Sequence, residues 1–305
     1  MNKDLISISD LSPEELGELL GLARHLKVEI RRGKTRNTLA GRTLALVFEK
    51  PSLRTQATFE VGMHQVGGHA IFLGGANVQL GVRESIPDAA RNLERWVHGV
   101  AARTFAHKTV TDLAAYAHIP VINALTDREH PCQALAWLMT VGEKRNGLSG
   151  SKLAFVGDGN NVAHSLMLLC PKAGMDFVVC CPPEYEPDAD VVEAARALAK
   201  PAGTSVEVLN DLSGVEGADF VYTDVWASMG QEDERVERAR VFRPFQVNAE
   251  LLTRAHPDCL VSHCLPAHRG EEITDGVLDG AHSIAFDEAE NRLHVQKALL
   301  LTLIA

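Results

Sequence analysis

The sequence is poor in cysteine, and its cysteines do not form the pattern of a metal site or a disulfide framework. Six cysteines occur among 305 residues, at positions 132, 170, 180, 181, 259 and 264, and no C-x-x-C pair is present. Structural zinc sites need Cys and His at short spacings, and the adjacent Cys180 and Cys181 are poorly placed for ordinary disulfides. We therefore predict free thiols, most of them buried, and no bound metal.

Long apolar segments are also absent. No stretch approaches about eighteen uninterrupted apolar residues, the length at which a membrane-spanning helix is considered. The opening residues 1–5 lack the apolar core of a signal peptide. These absences lead us to expect a cytosolic protein that does not bind membranes.

Positive charge is scarce. Thirty Lys and Arg residues stand against forty Asp and Glu residues, which gives a formal net charge of −10. The sequence has no Lys/Arg block that would follow the phosphates of a nucleic acid, so we do not expect nucleic-acid binding. Such a chain must bind an anionic substrate locally, with a few converging Arg, His and backbone N–H groups rather than with its overall field.

Apolar residues, by contrast, make up 46% of the sequence, and the chain is long enough for two domains. Patterns of buried strands alternate with helical patterns, which predicts a parallel-sheet α/β fold in each domain. A helical pattern ends at residues 147–150 and a new strand–loop–helix unit begins there, so we predict domains over 1–148 and 149–305. Because ligands bind at the carboxyl ends of parallel strands, residues just after each strand should carry the function.

A polar turn follows the first predicted strand, residues 43–48. Its sequence, Ser52-Leu53-Arg54-Thr55, places an Arg and two hydroxyl groups at the start of a helix. Free N–H groups and the helix dipole favour a phosphate at such a position. A capped helix N-terminus with a solvated Arg is the alternative interpretation of this turn by itself.

Two further strand ends carry hydrogen-bond donors. Arg103 follows the apolar segment 97–102, and His130 opens the motif H-P-C-Q, which ends at Gln133 just before a helical pattern. A His in this position suits an imidazole that polarises a ligand. Taken singly, an ion-paired Arg and a structural His are the alternatives. Together with the turn, these donors suit one phosphate group with a neighbouring carbonyl.

The S-x-R-T turn, the intervening Arg and the H-P-x-Q turn resemble the carbamoyl-phosphate site of the aspartate and ornithine carbamoyltransferase family, and the resemblance covers essentially the whole chain. It implies a last helix, about 288–305, that packs back on the first domain. Two departures stand out, because the family turn usually reads S-T-R-T-R and this chain has Leu53 and Gln56. In the first half of the chain, the residues implied for carbamoyl phosphate are Ser52, Leu53, Arg54, Thr55, Gln79, Arg103, His130 and Gln133.

The second half contains a glycine turn, G-D-G-N-N at residues 157–161. A dinucleotide-binding fingerprint is the alternative here, but Val162 stands where the third glycine of G-x-G-x-x-G belongs, and no acidic residue is evident near residues 179–181. We therefore expect no nicotinamide cofactor. The ornithine branch of the family has D-G-N-N at this turn, which implies that Asn161 contacts the amino-acid end of ornithine.

Two more motifs follow predicted strands, D-V-W-A-S-M-G at 224–230 and H-C-L-P at 263–266. An Asx turn and a buried packing Cys are their alternatives. They resemble the family loop that closes over the amino acid and the family thiol beside the δ-amine. The ornithine site implied by the resemblance consists of Asn161, Asp224, Ser228 and Met229. The further carbamoyl-phosphate residues are Cys264, Leu265 and Arg292, and the implied catalytic residues are Arg103, His130, Asp224 and Cys264.

The resemblance implies transfer of the carbamoyl group of carbamoyl phosphate to the δ-amine of ornithine, giving citrulline and phosphate in arginine biosynthesis, without a metal or cofactor. It further implies a homotrimer or a multiple of trimers, in which residues near Gln79 complete the site of a neighbouring subunit. Transfer to putrescine, N-acetylornithine or aspartate, and a catalytically inactive homologue that serves as a binding subunit, are the competing interpretations.

Overall fold

The computed structural model describes residues 2–75, 80–228, 230 and 232–305 of the chain. These residues cluster into two compact units, one formed by Met1–Met139 with Glu290–Ala305 and the other by Thr140–Ala289. Each unit contains one parallel β-sheet with helices, which confirms the predicted α/β class with two domains. The predicted boundary between residues 148 and 149 stays a prediction.

The sheet of the first unit has four strands, β1 (Thr43–Phe48), β2 (His69–Gly74), β3 (Gly99–Arg103) and β4 (Val121–Leu125). Their order is β2-β1-β3-β4, and all neighbouring strands are parallel. The strand order therefore reverses between β1 and β3, and the segments that follow these two strands leave the sheet side by side. Such a switch point is where parallel sheets bind ligands. The S-x-R-T turn follows β1, and Arg103 is the last residue of β3.

Strand β2 was not predicted from the sequence pattern. It lies at the edge of the sheet and hydrogen-bonds to β1, and none of its residues is fully buried. An edge strand needs only partial burial, so it lacks the unbroken apolar run that identifies a central parallel strand.

The helices of the first unit surround this sheet. They are α1 (Pro13–Arg31), α2 (Leu53–Gln65), α3 (Ile86–Trp96), α4 (His107–Tyr116) and the beginning of α5 (Pro131–Lys144). Helix α1 begins at a capping box, in which Ser12 Oγ accepts from the Glu15 N–H at 3.2 Å and Glu15 Oε2 accepts from the Ser12 N–H at 2.9 Å.

One buried apolar layer joins the sheet to α3 and α4. Its side chains come from alternate positions of the strands and from one face of each helix, namely Ala45, Val47, Val100, Ala102, Val121, Ala89, Ala90, Leu93, Val110 and Leu113. Each fully buried Val or Leu contributes about 1.5–3 kcal/mol, so this layer holds the strand ends that carry polar residues in fixed positions.

The last helix, α11 (Ala285–Ile304), belongs from residue 290 onward to the first unit. Lys297 Nζ donates to Gln65 Oε1 of α2 at 2.8 Å, and a Cβ added to Gly99 of β3 would lie 2.8 Å from Ile304 Cδ1. A side chain at position 99 would therefore require Ile304 to move. The predicted return of the terminal helix to the first domain is confirmed.

Helix α11 also buries His294. Burial and the positive charges of Lys297 and Lys27 lower the pKa of His294 to about 4, although Glu290 acts in the opposite direction. An unfolded histidine has a pKa near 6.5, so between about pH 6.5 and pH 4 the unfolded chain binds a proton that the folded chain excludes. Acid therefore favours unfolding through this group.

We expect the free energy of unfolding to fall by about 2 kcal/mol through His294 as the pH drops from 6.5 to about 4. Urea unfolding at several pH values measures this loss, and His294→Gln should make the decline shallower. His69→Gln, which changes an exposed histidine of the same unit, is the control and should leave the decline unchanged. Identical pH dependence in His294→Gln and in the unmodified protein would contradict the prediction.

The sheet of the second unit has five strands, β5 (Lys152–Val156), β6 (Asp176–Cys180), β7 (Val206–Leu209), β8 (Phe220–Thr223) and β9 (Leu260–His263). Their order is β7-β6-β5-β8-β9, and all pairs are parallel. The order reverses between β5 and β8, whose following segments are residues 157–161 and the loop that begins at Asp224. A second switch point thus brings two of the predicted motifs together.

The remaining helices belong to this second unit. They are α6 (Asn161–Lys172), α7 (Ala189–Ala202), α8 (Arg235–Phe242), α9 (Ala249–Leu252) and α10 (Asp275–Leu278). Val156, Val178, Val221 and Val261 of the sheet share one buried cluster with Val277 of α10. Over the part of the chain that the structure describes, none of the helices combines the length and apolar character needed to cross a membrane.

Candidate active site

The start of α2 forms the first element of the candidate site. Ser52 caps the helix, and its Oγ accepts from the Thr55 N–H at 3.3 Å. Leu53 is the first helical residue and is 80% exposed, while Arg54 is half-buried. The first turn therefore presents backbone N–H groups and one Arg at the positive end of the helix dipole.

Leu53 and Gln56 are the two residues at which this chain departs from the family turn, and neither side chain replaces the missing positive charge. Leu53 provides no polar group, and Gln56 Nε2 donates to Glu60 Oε1 at 2.9 Å one turn along the helix. Gln56 therefore interacts with its own helix and does not supply the positive charge of the usual second Arg.

Arg103 lies at the carboxyl end of β3 with only 6% of its surface exposed. Its carbonyl oxygen accepts from the Glu49 N–H at 2.8 Å, which ties the end of β3 to the residue after β1. A buried guanidinium is costly unless it faces anions or hydrogen-bond acceptors. Its place at the switch point is that of a group that binds a ligand.

His130 and Gln133 flank the start of α5, and both are buried. The Gln133 N–H donates to the His130 carbonyl at 3.0 Å. Arg292 of α11 donates from Nη1 to Gln133 Oε1 and from Nη2 to Thr55 Oγ1, the second at 3.0 Å. One guanidinium thus joins the first turn of α2 to the first turn of α5.

The surroundings of His130 favour its neutral form. Burial lowers its pKa well below the ordinary value, and the positive charges of Arg292 and Arg103 lower it further. Three of the predicted carbamoyl-phosphate residues therefore lie close together. The imidazole is neutral at neutral pH, so it can donate one N–H without adding charge.

The turn after β5 is shaped by Asn160 and Gly159. Asn160 caps α6, since its Oδ1 accepts from the N–H groups of Val162 and Ala163 at 3.0 and 3.1 Å. A Cβ on Gly159 would lie 2.2 Å from the backbone nitrogen of Pro187, so only glycine fits. Asn161 is the first residue of α6 and is half-buried.

Asp224, just after β8, is buried and accepts hydrogen bonds on both carboxylate oxygens. Asn160 Nδ2 donates to Oδ2 at 2.8 Å, while the Val225 N–H and the Cys264 thiol donate to Oδ1 at 2.8 and 2.7 Å. The structure thus joins three strand ends of the second unit, those of β5, β8 and β9, at one carboxylate.

The H-C-L-P segment is held by a buried His–Glu pair. His263 Nε2 lies 3.0 Å from Glu272 Oε1, and both side chains are fully buried. His263 Nδ1 accepts from the Leu265 N–H at 2.8 Å, so Nε2 carries the hydrogen. Leu265 has a φ of +56°, an unfavourable backbone for a non-glycine residue, and this hydrogen bond helps to hold it.

Asp224, His263 and Cys264 have ligand atoms within 4.8 Å of one another, as do His268, Glu271 and Glu272. In the first group the potential ligand atoms already hydrogen-bond to protein groups, so a cation would have to displace those bonds. The other five cysteines are buried, and all six are free, as predicted. Burial raises the pKa of the Cys132 thiol to about 11, so this group stays protonated and unreactive at neutral pH.

Two predicted site residues, Gln79 and Met229, lie outside the described residues. Ser228 follows Asp224 by four positions and is half-buried. Two residues that hold site groups in place were missed in the sequence, Asn160 and Glu272. The N-cap position of Asn160 was a usable signal, whereas Glu272 lies in a segment with no recognisable motif.

Comparisons with known proteins agree along the whole chain. Residues 3–143 match the family model described as aspartate/ornithine carbamoyltransferase, carbamoyl-P binding domain, and residues 149–303 match the Asp/Orn binding domain of the same family. An ornithine carbamoyltransferase of Pyrococcus abyssi is 52% identical over 303 residues, which cover 99% of this chain and 96% of that protein.

Two further similarities concern Pyrococcus furiosus. Its anabolic ornithine carbamoyltransferase is 51% identical over 299 residues, 98% of this chain and 95% of that protein. A solved structure of ornithine carbamoyltransferase from this organism matches with a TM-score of 0.96 at 51% identity, covering 99% of this chain and 96% of that one.

Proposed function

Because the chain belongs to the aspartate/ornithine carbamoyltransferase family, we propose that it transfers the carbamoyl group of carbamoyl phosphate to the δ-amine of L-ornithine, giving L-citrulline and phosphate. The observation that carries the acceptor assignment is the Asp224 carboxylate, which Asn160 and Cys264 orient at the switch point of the second unit. A buried carboxylate held in this way suits a cationic amino-acid substrate.

Carbamoyl phosphate is assigned to the first switch point. The N–H groups at the start of α2 and the Arg54 guanidinium suit the phosphate, because a helix N-terminus attracts anions. Arg292 supports this site by holding Thr55 and Gln133. The residues that we assign to carbamoyl phosphate are Ser52, Leu53, Arg54, Thr55, Gln79, Arg103, His130, Gln133, Cys264, Leu265 and Arg292.

Arg103, His130 and Thr55 supply the donors for the reacting carbonyl group. When the amine nitrogen attacks the carbonyl carbon, negative charge develops on the carbonyl oxygen, and fixed donors lower the barrier by about 3–4 kcal/mol each. The neutral state of His130 fits a donor role, since its depressed pKa leaves an N–H rather than a full charge. The bond from the carbonyl carbon to the phosphate oxygen then breaks, and phosphate leaves.

Ornithine is assigned to Asn161, Asp224, Ser228 and Met229 of the second unit. The δ-amine is mostly protonated at neutral pH, as a lysine amine is. The Asp224 carboxylate attracts this ammonium group, and Cys264 lies against the same carboxylate. The ammonium releases one proton to solvent before its lone pair attacks the carbonyl carbon. We propose that the departing phosphate accepts the second proton, which the nitrogen loses once the new C–N bond has formed.

We also propose that the protein is cytoplasmic, acts in arginine biosynthesis and forms a homotrimer or a multiple of trimers. The anabolic name of the Pyrococcus furiosus relative supports the biosynthetic direction. Trp96 and Val82 of the first unit are 69% and 84% exposed, and large exposed apolar side chains of this kind support a subunit contact there.

The direct test is a citrulline assay with purified protein, carbamoyl phosphate and L-ornithine. Putrescine, N-acetylornithine and aspartate serve as competing acceptors in parallel reactions that detect their carbamoylated products. Among the four acceptors, we expect rapid product formation only with L-ornithine. If no product formed with any of the four amines, the proposed activity would be wrong. Preference for another amine would change the assigned acceptor.

A further inference from the structure

Helix α8 buries an arginine and exposes a valine, the reverse of the ordinary arrangement. The side chain of Arg238 is 9% exposed, whereas Val236 on the same helix is 86% exposed. Residues 233–237 are all exposed. Arginine is almost never buried unless its charge is paired, so the contacts of Arg238 explain why this helix is placed where it is.

The guanidinium of Arg238 contacts two segments that follow neighbouring strands. Its Nη1 donates to the Trp226 carbonyl at 3.0 Å and lies 3.2 Å from Asp158 Oδ2, and its Nε donates to Glu234 Oε2 at 2.8 Å. Trp226 belongs to the loop after β8, and Asp158 belongs to the turn after β5. One buried side chain thus joins this loop to this turn.

A third segment closes around the same guanidinium. The guanidinium carbon lies 4.9 Å from the ring centroid of Tyr185, a cation–π contact. Tyr185 packs edge-on against Phe242 at 4.7 Å, and Phe242 stacks on Trp226 at 6.1 Å. The Tyr185 carbonyl accepts from the Gly159 N–H at 2.9 Å, which ties this segment to the turn as well.

The joined segments carry the residues that we assign to ornithine. Asp158 stands two and three positions before Asn160 and Asn161, and Asn160 holds the Asp224 carboxylate. Trp226 stands midway between Asp224 and Ser228 in the loop. Arg238 therefore fixes the backbone on both sides of the groups proposed to bind the acceptor.

Charge gives Arg238 a second effect. Burial and the nearby Asp224 raise the pKa of Asp158 and Arg238 lowers it, and the net result is a pKa of about 6. Without the guanidinium, the half-buried Asp158 and the buried Asp224 carboxylates would lie near each other with one fewer cation to balance them, and the turn would lose its attachment to the loop.

We propose that Arg238 is a positioning residue that holds the acceptor loop, residues 224–228 and 230, against the turn 157–161 and thereby sets the affinity for the α-amino-acid end of the acceptor. This inference rests on the proposed function. Arg238 acts through Trp226 and Asp158 rather than on the substrate, so its loss should weaken acceptor binding and leave carbamoyl phosphate binding intact.

The test is steady-state kinetics of Arg238→Gln, with Arg240→Gln as a matched control on an exposed arginine of the same helix. We expect the KM for L-ornithine to rise about tenfold to a hundredfold, the scale of a lost hydrogen bond to a charged group, with the KM for carbamoyl phosphate unchanged. The inhibition constant of L-norvaline, which has the α-amino-acid end of ornithine without its δ-amine, should rise by a similar factor. Arg240→Gln should change none of these constants.

Two more variants separate positioning from folding. Arg238→Lys keeps a cation for Asp158 but loses the planar fork, so it should restore part of the L-ornithine affinity. The double variant Asp158→Asn/Arg238→Gln should lose less free energy of L-ornithine binding than the sum of the two single variants, because both substitutions break the same Arg238–Asp158 contact. Unchanged L-ornithine and L-norvaline constants in Arg238→Gln, or equal loss for carbamoyl phosphate, would overturn the proposal. Absence of citrulline with the unmodified protein would instead overturn the proposed function.

Discussion

Arg103→Ala is expected to lower kcat by about a hundredfold to a thousandfold, the effect of removing one donor from an oxyanion site. Arg103 is buried at the carboxyl end of β3, and its charge lowers the pKa of His130. Both observations support the proposed role of Arg103 as a donor to the carbonyl oxygen. Initial rates with both substrates saturating measure the effect.

Two controls separate chemistry from stability in this variant. Arg95→Ala removes an exposed arginine of α3 in the same unit and should leave kcat unchanged. Arg103→Lys retains a positive charge and should recover part of the rate. Thermal unfolding of each variant shows whether the unit remains folded. A folded Arg103→Ala protein with an unchanged kcat would remove Arg103 from the reaction.

Asp224→Asn should lower kcat/KM for L-ornithine by about a hundredfold or more, because a buried charged acceptor is replaced by a neutral amide. The Asp224 carboxylate accepts from Asn160, Val225 and Cys264. An amide has only one oxygen, so one of these donors would then face an NH₂ group. The KM for carbamoyl phosphate should change little, since that substrate is assigned mainly to the first unit.

Asp233→Asn is the matched control, because it removes a negative charge from an exposed residue close in sequence to the acceptor loop. It should leave both KM values unchanged. If Asp233→Asn lowered kcat/KM for L-ornithine as much as Asp224→Asn does, local negative charge in general would attract ornithine. An unchanged kcat/KM in Asp224→Asn would show that this carboxylate does not meet the acceptor.

Much of the fold could be predicted because central parallel strands are short, apolar and bounded by polar turns. The predicted strand 43–48 coincides with β1, and the strands predicted before the motifs at 224–230 and 263–266 are β8 and β9. Strand β2 was missed because an edge strand is only partly buried and leaves a weak pattern. Helix α8 was missed for a similar reason, since half of its residues are exposed and one of its two buried residues is an arginine.

Candidate site residues could be named where the chain combines a strand end with a short motif. The S-x-R-T turn, Arg103 and H-P-C-Q all meet that condition, as do the D-G-N-N turn and the residues after β8 and β9. Their substrate assignments stay predictions until the variants are measured. Glu272 and Arg238 could not be named, because no recognisable motif surrounds them and their contacts with His263 and Trp226 follow only from how the chain folds.

The sequence by itself determined the class of fold and the chemical groups available after each strand, because strand periodicity and turn chemistry depend on neighbouring residues. Only the tertiary structure decided which groups share a site. Strand order brings Asn160 and Cys264 to the carboxylate of Asp224, and the packing of α11 brings Arg292 to Thr55 and Gln133. These contacts join residues separated by 40 to 237 positions. The order of strands and the docking of helices follow from packing the whole core, and no local pattern contains that information.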